Sequence, residues 1–307
     1  MIYTCTVNPS LDYYLTFDEQ IIPGKTTRAS RDEYHAGGKG INVSIMLNNL
    51  QIPSRALGFL GGFTKDFYVQ LLQQYRMLQP NFTYVQGNTR INVKIMDGTD
   101  TDLNVRGPEI KPENLNNLFF KISRLDEDDC LVFAGYCPDS IREPVTEVLK
   151  QAIAEGVKVA LDTNPEILHE LAPCSPFFVK ITQSELAGYA GRETLSKEAV
   201  IDEARKLHDE GVKNVIVLYD DRSQAIYVCD QGTYIGNVIR DNPPVSTVGT
   251  GDSITAGFIM NYIRSRDCMD SFKFAVSCGS ATIYSTGLAE KGEVDEYYQT
   301  ATLLKVE

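Results

Sequence analysis

The chain reads as an α/β protein: a doubly wound, mostly parallel sheet with a small β-sheet lid beside it. Three observations carry this reading. From Cys130 to Leu218, β-prone runs and helix-compatible stretches alternate, and that alternation predicts parallel strands joined by right-handed crossovers. Earlier, Ile2 to Val7 is a β-prone run broken at Asn8-Pro9-Ser10, and Ser54 to Leu60 runs into Gly61-Gly62 ahead of a helix-compatible stretch over 64–78. Two remaining segments, about 13–36 and 88–106, are β-rich without helical partners, so they are expected to form one discontinuous lid on a rigid body. Residues 1–307 then make a single domain.

In chain order, 13–17 and 26–36 are rich in Thr, Tyr and Phe with little helical period, which predicts strands outside the main sheet. Gly37-Gly38-Lys39-Gly40 opens a helix with apolar residues at 43, 46, 47 and 50. Residues 89–96 alternate with a period of two, and Asp97-Gly98 turns them into a hairpin with 101–105. Arg90, Asn92 and Lys94 share one face of that hairpin, able to cover a ligand, and Ile91, Val93 and Ile95 share the other. The body is predicted as strand 130–134, helix 141–154, strand 157–161, helix 165–171, strand 177–180, helices 183–189 and 197–210, and strand 214–218. Residues 224–229 and 233–239 suggest an antiparallel ribbon, and helices at 250–265 and 270–286 are expected to close the domain.

Hydrophobic residues at 43% and charged residues at 23% are ordinary for a soluble globular chain long enough to bury a large core. The net charge of −12 weighs against nucleic acid, although a local basic cluster can still hold one small anion. Seven scattered cysteines without a Cys-x-x-Cys pair read as reduced core thiols. No leader segment and no membrane-length apolar run is legible, so the expected location is cytoplasmic, with no membrane partner. His35, His169 and His208 lack metal-ligand spacing.

The stretch richest in chemistry is Val248-Gly249-Thr250-Gly251-Asp252-Ser253, at the head of a predicted helix. Its glycines allow a tight turn in which the amides of Gly249, Thr250 and Gly251 face an anion, aided by the helix dipole. Asp252 beside such a hole suits phosphoryl transfer: the hole stabilises the transferred group while the carboxylate accepts a hydroxyl proton. An ordinary N-cap satisfies the same pattern. Gly37 and Gly38 likewise allow close approach of a ligand at a helix start, with Lys39 as a point charge and Asn42 as an amide one turn in. The spacing fits neither a Walker P-loop nor a Rossmann fingerprint. Asp12 follows the first predicted strand, where ligand sites of open α/β sheets lie, and is a candidate acceptor for a sugar hydroxyl.

These stretches resemble the PfkB-type, ribokinase-like carbohydrate kinases over nearly the whole chain. The resemblance is carried by Met1–Asp12 (MIYTCTVNPSLD), Gly37–Ser44 (GGKGINVS), Leu57–Thr64 (LGFLGGFT) and Ser246–Phe258 (STVGTGDSITAGF). Thr89–Ile95 (TRINVKI), leading to Gly107-Pro108-Glu109-Ile110, points to the branch acting on fructose 1-phosphate. The resemblance implies a ribokinase-like fold with a β-clasp lid, ATP and Mg2+ as cofactors, a small sugar phosphate as partner, and a homodimer through the lid. It implies Asp252 as catalytic base and Gly249, Thr250 and Gly251 as the anion hole. Asp12, Gly38, Lys39, Asn42, Arg90 and Asn92 are then expected at the sugar phosphate. Lys180 and Glu185, with Gly249 and Gly251, are expected at ATP, and Glu185 near the metal. The implied reaction transfers the γ-phosphoryl of ATP to O6 of fructose 1-phosphate.

The sequence departs from the family pattern at several points. Thr250 replaces the usual anion-hole alanine, and the Asn-x-x-Glu stretch reads Thr182-Gln183-Ser184-Glu185. Ile45 stands where relatives often carry a basic residue, and Tyr219-Asp220-Asp221-Arg222 lacks the customary glycine. The alternatives are a tagatose-6-phosphate kinase, a catalytically weak sugar-phosphate sensor and, more remotely, a nucleotide-linked dehydrogenase. Retention of Asp252 argues against the sensor, and the late position of the glycine-rich turn argues against the dehydrogenase.

Overall fold

The computed structural model describes residues 1–219, 224–237 and 244–306. The chain begins with β1 (Ile2–Thr6), crosses into the lid as β2 (Ser10–Thr16) and β3 (Arg31–Gly37), and returns through α1 (Lys39–Asn49) to β4 (Ser54–Gly61). After α2 (Thr64–Leu72) and the short strands β5 (Leu78–Pro80) and β6 (Thr83–Val85), it re-enters the lid as β7 (Arg90–Met96) and β8 (Asp100–Leu103). Helix α3 (Pro112–Ile122) leads into β9 (Cys130–Ala134), α4 (Asp139–Ala154), β10 (Lys158–Asp162) and α5 (Pro165–Leu171). There follow β11 (Phe178–Thr182), α6 (Gln183–Tyr189), α7 (Lys197–Asp209) and β12 (Asn214–Tyr219). The ribbon β13 (Gln224–Cys229) and β14 (Gly232–Asn237), helices α8 (Thr250–Ser265), α9 (Cys268–Ile283) and α10 (Lys291–Thr300), and strand β15 (Thr302–Val306) complete the fold.

The large sheet has eleven strands in the order β15-β14-β13-β12-β11-β10-β9-β1-β4-β5, with β6 also pairing β4. It is parallel from β5 to β12 and antiparallel beyond. Period-two alternation sorts each strand's side chains between two helical layers. On β9, Leu131 and Phe133 pack with α3, α4, α5 and α7 through Leu115, Ile141, Ile167 and Val200. Cys130, Val132 and Ala134 pack on the other side with α1, α8 and α9 through Val43, Phe258 and Phe272. Strands buried on both faces read as continuous apolar runs, which is why the body was legible in sequence. Burying one side chain such as Phe133 or Phe258 contributes roughly 2–3 kcal/mol.

The lid is a four-stranded sheet, β3-β2-β7-β8. Its register places Tyr34, Tyr13, Val93 and Leu103 in one row across the sheet, on one face. The flanking rows, His35-Asp12-Asn92 and Glu33-Tyr14-Lys94-Asp102, lie on the opposite, polar face. The expected lid is therefore present, with strands beginning at Ser10 and Arg31 rather than at 13 and 26.

Other boundaries differ from expectation. The helix predicted over 64–78 stops at Leu72, because Leu78 is drawn into the sheet edge opposite Ser54 and Pro80 cannot continue a helix. Helix α3 was not anticipated, although Pro112 at its start and buried Leu115, Leu118 and Ile122 give it a helical signature. The domain is closed by α10 and the edge strand β15, not by the helix ending near 286. Among the described residues, no helix is long and apolar enough to cross a membrane. All seven cysteines are free.

Candidate active site

The parallel strands deliver their C-terminal ends to one edge of the sheet, and the candidate site lies there. Asp162 ends β10 on the same side as Ala160, and Lys180 sits on β11 on the same side as Phe178, so both point toward the layer containing α8. The first turn of α8 lies over them. Gly249 caps that helix in the left-handed region with φ 78°, a conformation that glycine adopts without strain. A Cβ at Gly251 would lie 3.2 Å from the Cε and Nζ of Lys180, so the bare backbone lets the helix start settle against the ammonium.

Asp252, in the first turn of α8, is 7% exposed and accepts a hydrogen bond from Asn42 Nδ2 at 2.8 Å. Burial, reinforced by the negative charge of Asp162, raises its pKa to about 6, against the pull of Lys180, Asn42 and Lys39. Asp162 is 2% exposed and is gripped by two ammonium groups, Lys39 Nζ on Oδ1 and Lys180 Nζ at Oδ2, each at 2.7 Å. Burial opposes its charge, but Lys180 and Lys39 outweigh burial and hold its carboxyl below the usual range. For Lys39 burial again works against the charge, and Asp162 and Glu185 overcome it and raise the pKa.

Glu185 Oε1 lies 3.4 Å from Lys39 Nζ. Its Oε2 accepts from the Thr182 amide and hydroxyl, both at 2.9 Å, and the Glu185 amide donates to Thr182 Oγ1 at 3.2 Å. This is a capping box, so Thr182 satisfies the start of α6. Burial raises the Glu185 pKa, but Lys180 and Lys39 prevail and lower it.

On the lid side, Asp12 Oδ1 accepts from Ser10 Oγ at 2.7 Å and from Asn92 Nδ2 at 3.1 Å. Burial raises the Asp12 pKa in spite of these donors. The Arg90 guanidinium donates to the carbonyls of Asn8 at 3.2 Å and Val105 at 3.4 Å, tying the lid to the loops beside it. Lys94 Nζ pairs with Asp102 Oδ2 at 2.5 Å.

A cleft of ≈ 800 Å³ joins these parts. Of the residues expected at the site, Lys39, Asn42, Lys180, Glu185, Gly249, Gly251 and Asp252 line it. Asp12 and Asn92 meet on the polar face of the lid, Gly38 caps α1, and Arg90 is engaged with backbone; none of the four lines the cleft. Thr250 is buried: its hydroxyl donates to Thr247 O at 2.9 Å and its amide reaches the same oxygen at 3.4 Å. That leaves Gly251 and Asp252 as first-turn amides without an acceptor inside the helix. Sequence reasoning missed Asp162, although the argument that singled out Asp12 applies to it: an acid at the C-terminal end of a predicted strand, ahead of Asn164-Pro165. Of the Tyr219–Arg222 departure, residues 220–222 lie outside the described residues.

An α/β body with helices on both faces of its sheet, a β lid and an acid at a glycine-led helix start define a sugar-kinase type of site. Residues 6–294 match the pfkB family carbohydrate kinases, and the chain belongs to that family. It is similar to a 1-phosphofructokinase of Bacillus subtilis, 34% identical over 297 residues that cover 96% of this chain and 97% of the relative. A D-tagatose-1-phosphate kinase of Bacillus licheniformis is 29% identical over 308 residues, covering 100% of this chain and 99% of the relative. Among solved structures, a Staphylococcus aureus protein provisionally described as a phosphofructokinase is similar with a TM-score of 0.85 and 34% identity, covering 100% of both chains. Phosphofructokinase-2 of Escherichia coli, solved with substrates and products, has a TM-score of 0.90 at 24% identity, covering 97% of this chain and 98% of its own, and bears on the fold alone.

Proposed function

We propose that the protein transfers the γ-phosphoryl group of ATP to O6 of D-fructose 1-phosphate, giving fructose 1,6-bisphosphate and ADP. The observation that carries this reading is Asp252: a buried carboxylate, oriented by Asn42, in the first turn of a helix whose N-terminus opens on the cleft. With its pKa raised to about 6, Asp252 is mostly ionised at neutral pH and more basic than an ordinary carboxylate. It takes the proton from the O6 hydroxyl as O6 bonds to the γ-phosphorus and the bond from phosphorus to the bridging oxygen of ADP breaks. The N-terminus of α8, where the Gly251 and Asp252 amides have no acceptor inside the helix, stabilises the charge on the transferred group. Lys39 and Lys180, held by Asp162, set a positive floor beneath the phosphates. Asp12 and Asn92 orient the sugar hydroxyls, and Gly38 lets the sugar approach the start of α1. Arg90, bonded to the carbonyls of Asn8 and Val105, holds the lid strand that carries Asn92 against the loops beside it.

Among the described residues, the cleft lining carries three lysines, Lys39, Lys94 and Lys180, against four carboxylates, Asp102, Glu185, Glu193 and Asp252. That balance leaves a nucleotide triphosphate under-neutralised. Among the described residues, no cluster of three His, Cys, Asp or Glu side chains is placed to hold a metal ion. Glu185, in the cleft lining, is the carboxylate that would face Mg2+ brought in on the ATP phosphates. When bound, the ion supplies charge neutralisation on the β- and γ-phosphates.

Both curated relatives named above act, by their names, on ketohexose 1-phosphates, which favours a phosphate on C1 over tagatose 6-phosphate. D-Tagatose 1-phosphate is the second reading. The apolar face of the lid, where Tyr13 stacks on Tyr34 at 4.2 Å and Leu103 is 51% exposed, suits contact with a second copy in a cytoplasmic homodimer. An assay of ADP release with ATP and Mg2+ compares fructose 1-phosphate, D-tagatose 1-phosphate, tagatose 6-phosphate, fructose 6-phosphate and fructose. Preferred turnover of fructose 1-phosphate is the expected result; preference for any of the others, or none, overturns the reading.

A further inference from the structure

Among the described residues, four cations stand near the cleft, and three are already committed. Lys39 is shared by Asp162 and Glu185, Lys180 is buried against Asp162, and Arg90 is bonded to the carbonyls of Asn8 and Val105. Lys94 differs. It lines the cleft, and its partner Asp102 has a side chain 54% exposed on the edge strand β8. An ion pair with a solvated carboxylate has little net strength. A phosphate dianion offers the same ammonium more charge and several acceptor oxygens.

Placement agrees with this chemistry. Lys94 lies two residues beyond Asn92 on β7, on the same face, and Asn92 donates to Asp12. A group held by Lys94 therefore sits about 7 Å along the strand from one held at the Asp12–Asn92 pair. One sugar phosphate spans both positions, with its hydroxyls at Asp12 and its phosphate at Lys94. Released from Lys94, the half-exposed Asp102 side chain meets solvent.

We propose that Lys94 is the lid residue that grips the phosphate of the acceptor sugar, exchanging Asp102 for it, and so makes the site prefer a phosphorylated sugar over a free one. The proposal rests on the kinase reading above. Its test measures kcat and KM for fructose 1-phosphate, fructose and ATP in the wild type, Lys94→Met, Lys94→Arg and Asp102→Asn, with a thermal melt to verify folding.

In Lys94→Met, the ratio of kcat/KM for fructose 1-phosphate to that for fructose falls 10- to 100-fold, the scale of one charge-assisted hydrogen bond. The loss falls on the KM for fructose 1-phosphate, and Lys94→Arg recovers most of it. Asp102→Asn, which frees the ammonium, lowers that KM severalfold. An unchanged ratio in Lys94→Met, or a loss that falls as heavily on ATP, overturns the proposal. If the wild type turns over no sugar phosphate, the kinase reading fails, and calorimetric titration with fructose 1-phosphate still decides the role of Lys94: equal affinities in wild type and Lys94→Met overturn it.

Discussion

The side-chain amide of Asn42 donates to Oδ2 of Asp252 at 2.8 Å, joining the first turns of α1 and α8 across 210 residues of sequence. The bond stabilises the ionised form of a carboxylate that burial and Asp162 push toward the protonated form. A carboxylate aimed and tuned in this way has consequences that separate its proposed role as a base from its packing.

Asp252→Asn keeps the shape and removes the base. We expect kcat to fall 10²- to 10⁴-fold, the range of a general base, with the KM for ATP and sugar phosphate changed by less than about threefold. Steady-state kinetics decide it, and activity within tenfold of wild type would leave Asp252 without this role.

The raised pKa of Asp252 also makes stability depend on pH. The folded value, about 6, exceeds the unfolded 3.8, so its stabilising contribution is complete below pH 4 and disappears as pH rises through 6. That difference corresponds to about 3 kcal/mol. Asp252→Asn has no such penalty, so its melting temperature gains on the wild type between pH 4 and pH 7. Parallel melting curves across that range would contradict the shift.

Activity should show an acid limb for the same reason. The base must be ionised, so kcat/KM rises with pH through about 6. Asn42→Ala, which removes the donor, moves that limb upward and lowers kcat at pH 6 more than at pH 8. A limb that stays in place would assign it to another group.

Asp162→Asn tests the charge cluster from the other side. Its loss leaves Lys39 and the buried Lys180 without their shared counter-charge, and removal of one partner from a buried ion pair costs roughly 3–5 kcal/mol. It also lifts a negative charge from Asp252, so the acid limb moves to lower pH while the melting temperature drops. A fall in stability with an unmoved limb would make Asp162 purely structural.

Gly249-Thr250-Gly251-Asp252 and Gly37-Gly38-Lys39 were legible because glycine runs and helix starts are local features, and the structure puts helix N-termini at both. The lid was legible because 90–95 alternate strictly. Asp162 was not singled out because a lone acid after an apolar run looks like any turn residue until its neighbours are known. Arg90 shows the converse. The family resemblance marks it for a phosphate, while its guanidinium is engaged by backbone carbonyls that only the folded loops bring near.

The sequence by itself determined the strand and helix alternation of the body, the two helix starts where an anion is welcome, and the polar and apolar faces of the lid, because all of these follow from periodicities of two and 3.6 residues and from glycine. Only the tertiary structure decided which charges meet. The order β12-β11-β10-β9-β1 sets Lys180 beside Asp162, and packing of α1 and α8 on one side of the sheet brings Lys39 and Asn42 to them. Coulomb and hydrogen-bond energies depend on separation in space, and separation in sequence does not encode it.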